Sequence, residues 1–100
     1  MAGSNTEEII YTREQSYGKF SSGAVVMQEL KAIVRNHLSY NPAYEAMPIG
    51  HKAVFDEGLE MVLHKIGRIV NGDLYHEDSW QDIAGYAKLT LQYLNEESFK

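Results

Sequence analysis

Two pairs of carboxylates stand at helical spacing in the C-terminal half of the chain. Glu57 and Glu60 are three residues apart, and Asp78 and Asp82 are four residues apart. Side chains at these spacings project from one side of a helix. Two such pairs would supply the oxygen ligands that Mg²⁺ prefers, and the ion could hold a triphosphate and activate water. The same residues also fit a solvated helix face and helix N-caps, so both interpretations stay open.

A cationic pair lies between these acidic pairs. Lys65 and Arg68 are three residues apart, so they could hold a phosphate together, arginine as a bidentate fork and lysine as a point charge. Aromatic rings at Tyr17, Trp80 and Tyr86 could stack on a base. The alternative is that the two cations form salt bridges to the aspartate pair on the following helix.

A helical projection of the third predicted helix, at about 100° per residue, has its apolar centre near Ile66. The polar side chains fall on its flank and back, at Glu57, Glu60, His64, Lys65 and Arg68. Glu57 is opposite the apolar centre. This position disfavours a metal site inside the bundle of one subunit and leaves a site between subunits.

Composition excludes several classes of function. The chain has 100 residues, a formal net charge of −5 and no cysteine. It therefore has no disulfide, no thiolate zinc site and no cysteine nucleophile. The acidic balance argues against nucleic acid as a partner. The four histidines lack metal-binding spacing, and no apolar run approaches the roughly 18–20 residues of a membrane span. We expect a soluble, cytoplasmic protein that binds no membrane.

Glycine and proline divide the chain into four helical stretches. Apolar residues recur at three- and four-residue steps, and no segment alternates as a strand would. The predicted helices are 6–16, 24–38, 51–70 and 79–95, with a turn at 17–23 and a proline-containing loop at 39–50. The prediction is a single domain, 1–100, folded as an all-α antiparallel bundle of about four helices.

Apolar residues extend beyond one face of these helices. The predicted core stripe of the third helix consists of Phe55, Leu59, Val62, Ile66 and Ile69. Further apolar residues lie off the stripes, at Val25, Met27, Met61 and Leu89. We expect a partner subunit to cover this second surface and predict a homo-oligomer. The alternative is a few exposed hydrophobic side chains, which are common on monomers.

Three segments resemble a known group of proteins. They read REQSYGKF at 13–20, HKIGRI at 64–69 and HEDSWQDIAGYA at 76–87. Together they resemble a family of small phage and prophage proteins of undefined function. The helix pattern is similar to that of the MazG-like all-α nucleoside triphosphate pyrophosphohydrolases.

The resemblance implies a metal site only in part. MazG-like enzymes hold Mg²⁺ with a Glu-x-x-Glu helix followed by a Glu-x-x-Asp helix. Glu57 and Glu60 match the first motif, and Asp82 matches the final acid of the second. Ser79 stands where the second motif has its glutamate, so Asp78 would have to substitute. The resemblance therefore implies nucleotide recognition more securely than hydrolysis.

Three functions follow from these patterns. The first is a Mg²⁺-dependent nucleotide pyrophosphohydrolase that serves phage metabolism. The second is a non-catalytic binder that sequesters a nucleotide-derived signal of host anti-phage defence. The third is a structural or partner-binding helical module, in which every polar feature is a cap or a surface pair.

Overall fold

The computed structural model describes the backbone of residues 2–96 and the side chains of residues 5–95. The described chain is all-α, as predicted, and contains no strand. The helices are α1 (Ala2–Tyr17), α2 (Phe20–Leu38), α3 (Pro42–Glu45), α4 (Ile49–Asn71) and α5 (Glu77–Glu96). No helix in this part of the chain combines the length and apolarity that crossing a membrane requires.

The long helices begin earlier than predicted. The turn after α1 is confined to Gly18, with a φ of 77°, and the extended residue Lys19. Gly23, which the sequence places in a turn, is buried inside α2 against the side chain of Asn71. α3 is a single turn within the predicted loop. The Asn41 side-chain oxygen caps this turn by accepting hydrogen bonds from the backbone amides of Ala43, at 2.9 Å, and Tyr44, at 3.4 Å.

Helix α4 is the centre of a single layer of three helices. It packs antiparallel against α2 on one side and α5 on the other, while α2 and α5 make little contact with each other. Glycines permit both close approaches. A Cβ at Gly58 would collide with Thr90 of α5, and a Cβ at Gly67 would collide with Met27 of α2.

An asparagine at the end of α4 holds the junction between α1 and α2. The Asn71 side-chain amide donates to the carbonyl oxygens of Tyr17, at 2.8 Å, and Lys19, at 3.0 Å. The backbone amide of Asp73 donates to the carbonyl of Ser16 at 2.7 Å. Residues 5–15 of α1 are exposed, so the contacts at its last turn position the helix against the rest of the fold.

The buried core is small and is displaced from the predicted stripe. Among the described hydrophobic residues, Leu63 and Ile69 are buried. Four of the five predicted stripe residues are only half-buried, at Phe55, Leu59, Val62 and Ile66. The reason is that α2 and α5 pack on the two flanks of α4 and leave the middle of its apolar stripe between them. The Cα radius of gyration is 16.5 Å, against about 13 Å for a compact domain of this length.

Of the four apolar residues that the sequence places on a second, partner-covered surface, only two are exposed in the structure. Val25 and Leu89 are exposed, as an uncovered surface requires. Met61 is half-buried, and Met27 is a packing residue that lies against Gly67. Met27 therefore belongs to the α2–α4 contact instead of to a surface that awaits a partner.

Candidate anion-binding site

Helices α1, α2 and α4 surround a pocket with a volume of about 390 Å³. We refer to it as the α1 pocket. Its lining combines cationic, aromatic and small side chains, at Ile10, Arg13, Glu14, Tyr17, Gly18, Lys19, Phe20, Gly23, Ala24, Met27, His64, Arg68 and Asn71. The volume falls within the roughly 300–1,000 Å³ that is usual for small-molecule sites.

The α1 pocket concentrates positive charge in an acidic protein. Arg13, Lys19 and Arg68 line it with one carboxylate, that of Glu14. With His64 neutral, these groups have a formal charge of +2, whereas the whole chain carries −5. A small concave surface of this sign attracts anions even when the net charge of the protein opposes them.

Two of the predicted ligand-binding residues meet in this pocket. The guanidinium carbon of Arg68 lies 4.5 Å from the centre of the Tyr17 ring, which is a cation–π contact. The Tyr17 ring also meets the His76 ring edge-on, with centroids 5.0 Å apart. The two contacts fix Tyr17 at the C-terminal end of α1 and hold the Arg68 head group at the pocket wall.

His64 lies one turn before Arg68 in the same wall. Burial is the main cause that lowers its pKa below the ordinary value for histidine, and the nearby cations Arg68, Lys31 and Lys65 lower it further. The imidazole is therefore held neutral by its surroundings. An anion in the pocket would oppose the effect of these cations and favour the protonated form.

Three predicted ligand-binding residues do not line the α1 pocket. Lys65 forms an ion pair with Asp82 of α5, with Nζ and Oδ2 2.9 Å apart. This is the salt bridge that the sequence left open as the alternative. Trp80 donates its indole N–H to the carbonyl of Leu74 at 3.0 Å. Tyr86 lies in a shallow groove between α4 and α5.

The four predicted metal ligands do not form one cluster. Glu57 lies in the groove beside Tyr86, whereas Glu60 lines a hollow between α2 and α4. Asp78 is exposed in the first turn of α5, and Asp82 is paired with a lysine. Within the described residues, no three histidine or acidic side chains are arranged to hold a metal ion. The described residues of one chain therefore do not form a Mg²⁺ site, and a site shared between subunits stays a prediction.

Helix α5 begins earlier than its predicted start at Ser79. The helix begins at Glu77, and Ser79 lies inside it with 2% of its surface exposed. A hydrogen bond of 3.0 Å joins the Ser79 hydroxyl to Nδ1 of His76. Because the half-buried His76 ring also contacts Tyr17, this hydrogen bond links the start of α5 to the C-terminal end of α1.

The hollow between α2 and α4 has balanced charge. The Tyr44 hydroxyl donates to both carboxylate oxygens of Asp56, at 2.9 Å each. This hydrogen bond is the main cause that raises the pKa of Tyr44 above its ordinary value. Lys31 and Arg35 line the hollow opposite Asp56 and Glu60. The carboxylates therefore offset the cations, unlike in the α1 pocket.

Three of the residues that line the α1 pocket were not predicted from the sequence. Arg13, Lys19 and Phe20 belong to the REQSYGKF segment, which lies more than 40 residues before His64. That segment covers the end of α1, the Gly18 turn and the first residue of α2. Its cations and aromatic rings could have marked it as a candidate phosphate-binding segment.

Comparisons with known proteins identify no relative of this chain. No protein-family model, no curated protein and no solved structure matches the chain. Its function must therefore be inferred from the site.

Proposed function

We propose that this protein binds a phosphorylated, nucleotide-type ligand in the α1 pocket and holds it without hydrolysis. The observation that supports the proposal is the pocket itself, where three cations and two aromatic rings surround one volume in a chain of net charge −5. A neutral or cationic ligand would gain nothing from that charge.

The lining divides into groups that suit two parts of such a ligand. Arg68 and Arg13 present guanidinium groups, each of which can donate to two phosphate oxygens at once, and Lys19 adds a point charge. Phe20, at the rim, has 88% of its surface exposed. Its ring is free to stack on a base, whereas Arg68 covers one face of Tyr17.

Binding is favoured over hydrolysis by the placement of the carboxylates. Glu14 lines the pocket, whereas the four carboxylates proposed as metal ligands lie elsewhere. Hydrolysis by the MazG-like route would need them around the phosphates. The pocket as built supplies groups that hold an anion.

The resemblance to small phage proteins suggests a biological setting for this activity. We propose that the protein acts in the host cytoplasm and sequesters a nucleotide-derived signal of anti-phage defence. Such a role requires tight binding and release of an unaltered ligand. It makes no demand for a catalytic base or a metal ion.

Calorimetric titration with three probes tests the proposal. Adenosine, inorganic tripolyphosphate and ATP separate the contributions of base and phosphate. We expect ATP to bind most tightly and tripolyphosphate more tightly than adenosine, and we expect the ATP recovered after denaturation to be intact. The double variant Arg13→Gln/Lys19→Gln should weaken tripolyphosphate at least about tenfold, since each lost charge-assisted bond costs about 1.5–3 kcal/mol.

A matched control removes a cation elsewhere. Lys88 is exposed on α5 and is not part of the pocket lining, so Lys88→Gln should leave affinity unchanged. Equal losses in the control and the double variant would show nonspecific attraction and refute the site. Release of pyrophosphate from ATP in the presence of Mg²⁺ would refute binding without hydrolysis and support the pyrophosphohydrolase hypothesis.

A further inference from the structure

One side of the three-helix layer is apolar and uncovered. At about 100° per residue, His64 and Arg68 each lie about 160° around α4 from Ile66. The α1 pocket therefore occupies one side of the layer, and Ile66 marks the opposite side. Leu59 and Val70 lie within about 40° of Ile66 and extend this surface along α4.

The flanking helices continue the same surface. On α2, Ala24 lines the α1 pocket, and Ile33 lies about 180° from it. On α5, Asp82 pairs with Lys65 at the flank of α4, and Leu91 lies about 180° from Asp82. We refer to Ile33, Leu59, Ile66, Val70, Trp80 and Leu91 together as the open apolar face. Its outer members are more than half exposed, at 59% for Ile33, 57% for Val70, 55% for Trp80 and 58% for Leu91.

The α5 part of this face has the spacing of a helix-packing seam. Trp80, Ala84, Ala87 and Leu91 follow steps of four, three and four residues, which is the pattern of apolar positions along a coiled-coil interface. The two alanines are exposed and lie between the larger residues. Small side chains at that point let another helix approach closely.

The accessible surface exceeds that of a compact monomer by more than one standard interface would remove. The accessible surface is 7151 Å², against about 5,800 Å² for a compact monomer of 11.4 kDa. The excess of about 1,400 Å² includes the exposed α1, and a standard interface removes about 800 Å² from each partner. A single layer of helices also lacks the second layer that a stable core requires.

We infer that a second copy of this chain covers the open apolar face and forms a dimer with a two-layer core of six helices, α2, α4 and α5 of each chain. A two-fold dimer presents the same patch from both subunits, so an uncharged apolar surface is its own complement. The carboxylates of Asp82 and Glu57 lie toward the other side of the layer. Glu29 and Glu77 are exposed at the edges of the face, about 40° around their helices from Ile33 and Leu91. This dimer leaves both α1 pockets on its outer surfaces.

Sedimentation across a wide dilution series tests the inference with the full chain. The unmodified protein should sediment as two chains, and Leu91→Glu should weaken the association at least about tenfold by placing an unpaired carboxylate in the interface. Gln92→Glu adds the same charge at an exposed position about 100° around the helix and should stay dimeric. Circular dichroism checks that both variants are helical.

Trp80 supplies a second measurement that needs no substitution. It is the single tryptophan of the chain and a member of the open apolar face, so its fluorescence reports this face alone. We expect dissociation on dilution to shift its emission to the red and to increase quenching by iodide. A monomer at all concentrations, which would leave the face to another partner, overturns the inference. So does a dimer whose Trp80 is quenched as freely as that of the monomer.

Discussion

The contrast between Arg68→Gln and Lys65→Gln is the sharpest test of the α1 pocket. The two cations stand three residues apart and look equivalent in the sequence, yet the structure directs them to different places. Arg68 lines the pocket, whereas the Lys65 ammonium lies 2.9 Å from the carboxylate of Asp82. Loss of one charge-assisted contact to phosphate costs about 1.5–3 kcal/mol, so Arg68→Gln should weaken tripolyphosphate binding about 10- to 150-fold.

Lys65→Gln should have a much smaller effect. A unit charge that acts through water across about 10 Å contributes about 0.4 kcal/mol, which is a factor of about two in affinity. Asp82 already compensates the charge of Lys65. Salt screens the long-range attraction between Lys65 and the ligand. Calorimetry should therefore measure both affinities at the same ionic strength. Equal losses, or a larger loss for Lys65→Gln, would refute the assignment of the pocket.

Three other predictions follow from the packing and the electrostatics. Gly85→Ala should raise the free energy of unfolding by about 0.8–1 kcal/mol, because its new Cβ meets nothing within 4 Å. Gly58→Ala gains the same helix propensity but collides with Thr90, so thermal melts should place it about 1–3 kcal/mol below Gly85→Ala; equal melts would contradict the α4–α5 contact. Asn71→Ala should speed amide hydrogen exchange in α1 and weaken tripolyphosphate binding, and unchanged exchange would show that other contacts hold the helix. The lowered pKa of His64 means that the unfolded chain takes up more protons as the pH falls below about 6.5, so acid should cost stability, and denaturant titrations should show a smaller loss in His64→Gln.

Most of the secondary structure could be predicted from the sequence because the apolar periodicity is strong. The all-α class and the approximate extents of the four long helices are confirmed. The start of α2 was missed because glycine usually marks a turn. Gly23 is instead a packing residue, whose missing Cβ makes room for the Asn71 amide. That amide also positions α1. Its contact joins residues more than 50 positions apart, which a local sequence pattern cannot predict.

The candidate site was predictable only in part for a related reason. The spacing of Lys65 and Arg68 places them on one side of a helix, but it does not say which neighbour each will meet. Lys65 borders α5, and Arg68 borders α1. Tyr17, which the sequence grouped with Arg68, does lie against it. The positions of Arg13 and Lys19 depend on the Gly18 turn, which folds α1 back toward α4.

Helix α4 explains why an acidic, elongated chain can combine a cationic pocket with an apolar interface. Its projection directs His64 and Arg68 to one side and Ile66 and Val70 to the other, so the two surfaces do not compete for the same residues. In the proposed dimer the two pockets face away from each other. Each chain should therefore bind one ligand independently, and Leu91→Glu should change the association of the chains without changing their affinity for tripolyphosphate. The same geometry keeps the four carboxylates proposed as metal ligands away from this face, so a Mg²⁺ site shared between subunits would require a different pairing of the chains.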